Sequence, residues 1–339
     1  MNSVNPSPFD TQEIQELHQQ LMEFPEKFKT ELRQVIVGQE DILDLLVLAL
    51  FCNGHVLLTG VPGLAKTLLI RAISSVFHLN FNRIQCTPDL MPSDVIGNEI
   101  LEEHPGTGER FFRLVHGPVF TNLLLVDEIN RTSPRTQSAL LQAMQERQVS
   151  IAGKTYELAP PFMVFATQNP IDSEGTYPLP EAQLDRFLFN IEMTYPSLED
   201  EILIAARPVS PKTVELSPIF DAETLLKFQE IIHQIPVPPY IVRWIVELVK
   251  ATRPQESTDE IIQKYVAWGA GVRASQNIVM ASKARALLDG QTVVNGTHVR
   301  GVLHAVLRHR IIPGFMGEAA QWTADRIVDH LLSKHPAPF

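Results

Sequence analysis

HVLLTGVPGLAKT, residues 55–67, decides the fold. A short apolar run that reads as a buried strand breaks into a glycine-containing turn. The turn closes on Lys66-Thr67, and a helical pattern then runs to about Phe77. Strand, loop and helix in this order are the context required by the phosphate-binding pattern G-x-x-x-x-G-K-[ST]. Gly60 and Gly63 would let backbone N–H groups turn inward around phosphate oxygens. Val61, Pro62, Leu64 and Ala65 complete the loop, and Leu68 follows it. Lys66 would reach the outer phosphates, Thr67 would offer its hydroxyl to magnesium, and the helix N-terminus would favour an anion. ATP and Mg2+ are therefore the expected ligands, although an ordinary glycine turn before a helix looks similar. One letter departs from the pattern: Ala65 stands where glycine is usual. It is tolerable if φ there is negative, as in the first turn of a helix.

Other candidates lie downstream. NLLLVDE (122–128) is a strand pattern ending in Asp127-Glu128. Two carboxylates at a strand end are expensive to bury without cations. Asp127 could hold magnesium through water, and Glu128 could orient and deprotonate an attacking water. Alone, such a pair after apolar residues is common; after a phosphate loop it gains meaning. FMVFATQN (162–169) ends in Asn169, which could position the same water or cap a turn before Pro170. Arg186, in LDRF, is either a surface ion-pair residue or a finger reaching a neighbouring subunit's terminal phosphate, a role worth ~10³–10⁵ in rate. Arg273, in GAGVRAS, could touch the same phosphate or be an ordinary helix-end arginine.

The 339 residues suffice for two domains at about 150 each. A hydrophobic content of 45% with 20% charged residues suits a soluble globular chain. The net charge of -11 repels nucleic acid overall, although a local basic patch could still bind it. Cys52 and Cys86 follow no metal spacing and read as buried thiols. No signal core precedes the first helix. The longest apolar run, Ile42–Cys52, is too short for a bilayer span and is broken by Asp44. A reducing, cytoplasmic setting is the expectation. Residues 1–9 read as a loose tail. Residues 97–120 read as an irregular insertion with a turn-rich tip, HPGTGER, and 149–158 read as a β-hairpin. RPVSPKTVELSP (207–218) reads as a hinge or linker. Everything beyond it reads as helical, with no β-rich runs. The result is an α/β domain to about residue 206 and a smaller α-helical one after it. The eleven histidines show no metal spacing.

In this order these residues resemble the AAA+ ATPases, and more closely the MoxR family. The stretches that carry the resemblance are IVGQED, LLTGVPGLAKT, GNEI, GPVFTNLLLVDEINRTSPRTQSALLQAMQERQVSI, ATQNPIDSEGTYPLPEAQLDRF and GAGVRAS, spread over roughly residues 30–330. The resemblance implies an AAA+ core with a central parallel sheet flanked by helices, then an α-helical lid. It divides the chain into an N-terminal tail and helix (1–29), core (30–206), linker (207–218) and lid (219–339). It implies that Val37 and Gly38 line the adenine pocket, that Asn169 is sensor 1, Arg186 the arginine finger and Arg273 sensor 2. The family's own loop carries alanine before the lysine. Its sensor 2 segment commonly has Ser-Pro before the arginine; here the residues are Gly271-Val272, so Arg273 departs from the pattern, and whether it serves its own subunit or a neighbour stays open. In related rings the insertion and the hairpin project toward a central pore. The implied activity is ATP hydrolysis at subunit interfaces of a hexameric ring, to remodel or activate a protein partner. That partner often carries a von Willebrand factor A domain, which this chain has no room for. A magnesium-chelatase-like subunit, a nucleic-acid motor and a nucleotide-gated scaffold with negligible turnover are the alternatives. The acidic balance counts against nucleic acid.

Overall fold

The computed structural model describes residues 11–106, 108–170, 175–206 and 215–338. The tail expected at 1–9 lies outside these, as do 207–214 of the expected linker. The first part of the chain runs α1 (Thr11–Leu32), α2 (Glu40–Phe51), β1 (Val56–Thr59), α3 (Lys66–Val76), β2 (Phe81–Gln85), α4 (Pro92–Ile96), β3 (Gly97–Glu103), β4 (Arg110–His116), β5 (Leu123–Asp127), α5 (Pro134–Glu146), β6 (Gln148–Ile151), β7 (Lys154–Glu157), β8 (Met163–Gln168), α6 (Glu181–Leu184), β9 (Phe189–Glu192) and α7 (Leu198–Ala206). The remainder runs α8 (Ala222–Gln234), α9 (Pro239–Ala251), α10 (Glu260–Tyr265), β10 (Val266–Trp268), α11 (Val272–Leu288), α12 (Gly296–Leu307), β11 (Ile312–Pro313), α13 (Phe315–Ala319) and α14 (Ala324–Lys334).

Five strands form one sheet in the order β2-β5-β8-β1-β9, and all its pairings are parallel. Parallel neighbours need crossovers, and helices supply them. The interior strands are covered on both faces, which explains their near-continuous apolar sequences. Alternate residues divide between two cores: Leu123 and Leu125 join one, Leu124 and Val126 the other. The larger core also takes in α1, α2 and the helices after residue 219, so the sheet domain and the lid share one apolar interior. Phe24 of α1 sits in it, 5.7 Å from both Phe51 and Phe77 and 5.0 Å from Phe220, which leads into the lid.

Two expectations are corrected. The insertion at 97–120 is regular: β3 and β4 pair antiparallel from Gly97↔His116 to Glu103↔Arg110. A seven-residue ladder with exposed side chains on both faces lacks the apolar alternation that announces a strand. The lid is also not purely helical. β10 and β11 form a small antiparallel pair, too short to show a period. The hairpin expected at 149–158 is present as β6–β7. Lys154 at its tip donates to Glu99 of β3 at 3.0 Å, joining the two hairpins. Among the described residues no helix is long and apolar enough to cross a membrane.

Candidate nucleotide site

Because the sheet is parallel, β1, β5 and β8 end on one edge, where open α/β sheets hold ligands. Gly60–Thr67 follows β1, Asp127 closes β5, and Asn169 follows β8. The loop is anchored there: Gly60 N donates to Gln168 O at 3.2 Å. Gly63 has φ +88, which a side chain resists, and a Cβ on Gly60 would stand 2.8 Å from Met193 O. Leu64 is buried as the loop's apolar pin, and Leu68 is exposed. Ala65 is the N-cap of α3 with φ 54. The condition of a negative φ is not met: alanine occupies the left-handed region, at a cost of ~1–2 kcal/mol. Lys66 Nζ donates to Gly60 O. Burial lowers the Lys66 pKa, while Asp127 and Glu128 oppose that shift.

The Asp127 carboxylate is buried and held from three sides. Arg83 Nε meets Oδ2 at 2.6 Å, Thr67 Oγ1 lies 3.4 Å from the same oxygen, and Thr167 Oγ1 donates to Oδ1 at 3.3 Å. The Thr167 hydroxyl also accepts from Glu128 N at 2.9 Å. Glu128 has φ 58, which turns its side chain out of the strand. Its Oε2 takes Gln85 Nε2 at 3.0 Å and Arg131 Nε at 3.2 Å. Arg83 Nη2 donates to Gln85 Oε1 at 2.9 Å, so a chain of bonds runs Asp127–Arg83–Gln85–Glu128. Arg83, Gln85 and Thr167 escaped the sequence reading. The available signal was the two-residue period of FNRIQ, which puts Arg83 and Gln85 on one face beside β5.

Asn169 is buried at the end of β8, beside the loop anchor. Val37 is half-buried, and Gly38 has φ 65. They line a cavity of ≈590 Å³ with Ile36, Leu43, Asp200 and Leu203. Its walls come from α1, α2, the turn between them and α7, not from residues 60–68.

Arg186 and Arg273 lie elsewhere. Arg186 stands just before β9, whose first residue, Phe189, is level with Val56 at the start of β1. It is thus on the sheet edge opposite the phosphate loop; from Gly54 to Gly60 extended chain covers ~20 Å. Arg273, in the first turn of α11, lines the same ≈600 Å³ cavity as Arg186. Arg273 Nη1 donates to Asp185 Oδ2 at 3.2 Å. Arg310, in the turn after α12, is buried against the same segment; it escaped the sequence reading because LRHRII looks like an ordinary basic helix end. It donates to Asp185 Oδ1 at 2.7 Å and to the carbonyls of Asp185 and Phe187 at 3.0 and 2.7 Å. These bonds fix the backbone on both sides of Arg186. Among the described residues the Arg186 side chain has no ion-pair partner.

The chain matches two family models. Residues 55–189 match the ATPase family associated with various cellular activities (AAA), and residues 258–331 match the AAA lid domain. It is 42% identical over 310 residues to Chaperone MoxR1 of Mycobacterium tuberculosis, covering 91% of this chain and 81% of that one. It is 41% identical to the uncharacterized protein YeaC of Bacillus subtilis, covering 91% and 92%. It is 30% identical to Protein MoxR of Methylorubrum extorquens, covering 92% and 94%. A crystal structure of a Cytophaga hutchinsonii protein superposes with a TM-score of 0.87 at 37% identity, covering 96% of this chain and 99% of that one.

Proposed function

Because this chain belongs to the MoxR family of AAA+ ATPases, we propose that it hydrolyses ATP at the interfaces of a hexameric ring of its own copies, and that turnover remodels or activates a protein partner. The observation that carries this is the separation of the cationic groups. Lys66 stands at one edge of the sheet, whereas Arg186 and Arg273 share a cavity at the other. A phosphate held by Lys66 lies farther from those arginines than their side chains extend. The nucleotide they serve would belong to a neighbour, and for Arg273 this favours action across subunits.

In this reading residues 60–68 cradle the phosphates, with Lys66 on the outer ones, and Val37 and Gly38 border the adenine. The donor set fits magnesium: a hydroxyl and one buried carboxylate, hard oxygens on adjacent elements, with the substrate's phosphates completing the shell. The buried Asp127 carboxylate already takes a cation, the guanidinium of Arg83. Among the described residues no cluster of three or more His, Cys, Asp or Glu competes as a metal site. Thr67 and Asp127 would hold the ion, which would supply positive charge against the negative charge that develops on the transferring phosphoryl group. Glu128 would accept the proton of the attacking water, and Asn169 would orient that water. Arg186 from the neighbouring copy would stabilise the transferring phosphoryl group.

Residues 30–206 act as the catalytic core and 219–339 as the lid in this scheme, with 207–218 joining them. A partner with a von Willebrand factor A domain would be a separate chain, and the setting would be cytoplasmic. A nucleic-acid motor is the weaker reading, since Lys154, the one cation in the β6–β7 hairpin, is already paired with Glu99.

Phosphate release by the purified protein with magnesium and ATP tests the assignment. Lys66→Ala should abolish it, and Glu128→Gln should stop turnover while retaining ATP binding. Release unchanged by either substitution overturns it.

A further inference from the structure

The cavity that holds Arg186 and Arg273 has a third arginine, Arg147, from the end of α5. Three elements distant in sequence thus aim guanidinium groups at one hollow, and Glu146 is its one carboxylate among the described lining residues. His55, also in the lining, adds no charge. Its Nδ1 accepts from Val164 N at 3.0 Å, its Nε2 donates to Met144 O at 3.0 Å, and burial holds its pKa down to about 4. The lining therefore carries a positive excess, three guanidinium groups against Glu146, with Arg273 also held by Asp185 just outside it.

The placement of Arg147 is built rather than incidental. Its φ is 53, a left-handed conformation that side chains disfavour and that helix ends usually give to glycine or asparagine. Two backbone bonds pin it there: Arg147 N to Ala143 O and Leu158 N to Arg147 O, both 2.9 Å. Its side chain is aimed by Asn53, itself left-handed at φ 49. With the Asn53 amide oxygen facing it, both terminal nitrogens of Arg147 donate to that oxygen, at 3.0 and 3.3 Å. The partner is neutral. Among the described residues no carboxylate pairs with Arg147, so its charge stays available for an anion. A guanidinium offers five donors in a fixed fork, which suits a phosphate.

We propose that Arg147 is a third arginine acting across the subunit interface, donating to the terminal phosphate of the nucleoside triphosphate held by the neighbour's phosphate loop. This rests on the interface reading above. Arg147 also immediately precedes β6, so loss of that phosphate would be felt at the first residue of the β6–β7 hairpin.

The test uses the full-length chain. Arg147→Ala should lower turnover by ~10² or more, the loss typical of removing one preorganised donor. Binding of a fluorescent ATP analogue and the melting temperature should stay close to wild type. Arg147→Ala is then mixed with Lys66→Ala, alongside a control mixture of Arg186→Ala with Lys66→Ala. In each mixture some interfaces join an intact loop to an intact arginine face, so activity should return in both. Recovery with Arg186→Ala alone means that Arg147 serves its own subunit, and overturns the proposal while leaving the interface reading intact. Recovery in neither mixture overturns both. If Arg147→Ala melts several degrees lower, Arg147→Met, which keeps the aliphatic stem without the charge, replaces it; wild-type turnover by that variant overturns the proposal.

Discussion

Arg310 of the lid and Asp185 of the sheet domain are joined at 2.7 Å, and the second oxygen of that carboxylate receives Arg273 at 3.2 Å. One carboxylate therefore holds a buried guanidinium with one oxygen and a cavity-lining guanidinium with the other. Breaking a buried pair leaves an uncompensated charge and costs ~3–5 kcal/mol. Asp185 is partly exposed, so Asp185→Asn should cost about 2–3 kcal/mol, below that range. Urea unfolding measures it. Turnover should fall further than stability alone explains, because Arg186 and Arg273 both lose their setting.

Arg83 sits on the Asp127 oxygen that Thr67 also approaches. Any ion arriving between Thr67 and Asp127 must displace or repel that guanidinium. Arg83→Met should lower the magnesium concentration needed for half-maximal ATP binding by about fivefold, as expected from a half-exposed pair worth ~1 kcal/mol. A magnesium titration of fluorescent-nucleotide binding reads this directly. An unchanged or raised midpoint counts against the competition.

Ala65 has φ 54. Glycine would relieve the left-handed strain but give back part of the gain through unfolded-chain entropy. Ala65→Gly should therefore be neutral to stabilising by about 1 kcal/mol, with nucleotide binding kept. Ala65→Val, β-branched at positive φ, should destabilise by more than about 1 kcal/mol. Thermal melts of the two variants should move in opposite directions or leave glycine unchanged; a glycine variant less stable than valine contradicts the geometry.

Burial depresses the His55 pKa from its ordinary 6.5 to about 4, and burial lowers that of His309 as well. The unfolded chain then binds more protons than the native one between those values, so native stability rises with pH there. The contribution is complete above pH 6.5 and is lost progressively as pH falls toward about 4. For His55 alone this amounts to about 3 kcal/mol over the full interval. Urea unfolding at pH 7 and pH 5 should show the drop, and His55→Gln should reduce it, leaving the part due to His309, while lowering stability at pH 7.

The central sheet and the edge proposed for the nucleotide are legible because buried parallel strands leave continuous apolar runs, and each of those runs ends in a polar group at that edge. LLLVDE and FMVFATQN carry their candidate residues at their own ends. What was not legible depended on contacts between distant segments. Nothing near Arg310 in sequence indicates Asp185, which is 125 residues away. The strands β3 and β4 were hidden because they bury little and so lack an alternating pattern. The φ of Ala65 is not legible because sequence does not tell a helix N-cap from a residue of the first turn. The neighbourhood of Arg147 depends on Asn53, Arg186 and Arg273 converging from separate elements, a juxtaposition no local pattern encodes.

Phe24 touches rings from α1, α2, the segment after α3 and the stretch entering the lid. Such a keystone removes any slip plane between sheet domain and lid. Heating should melt the two parts together in one calorimetric transition, as cooperative units do. In a ring of such copies each subunit would move as a stiff wedge, and the strokes would be taken up at the seams between wedges.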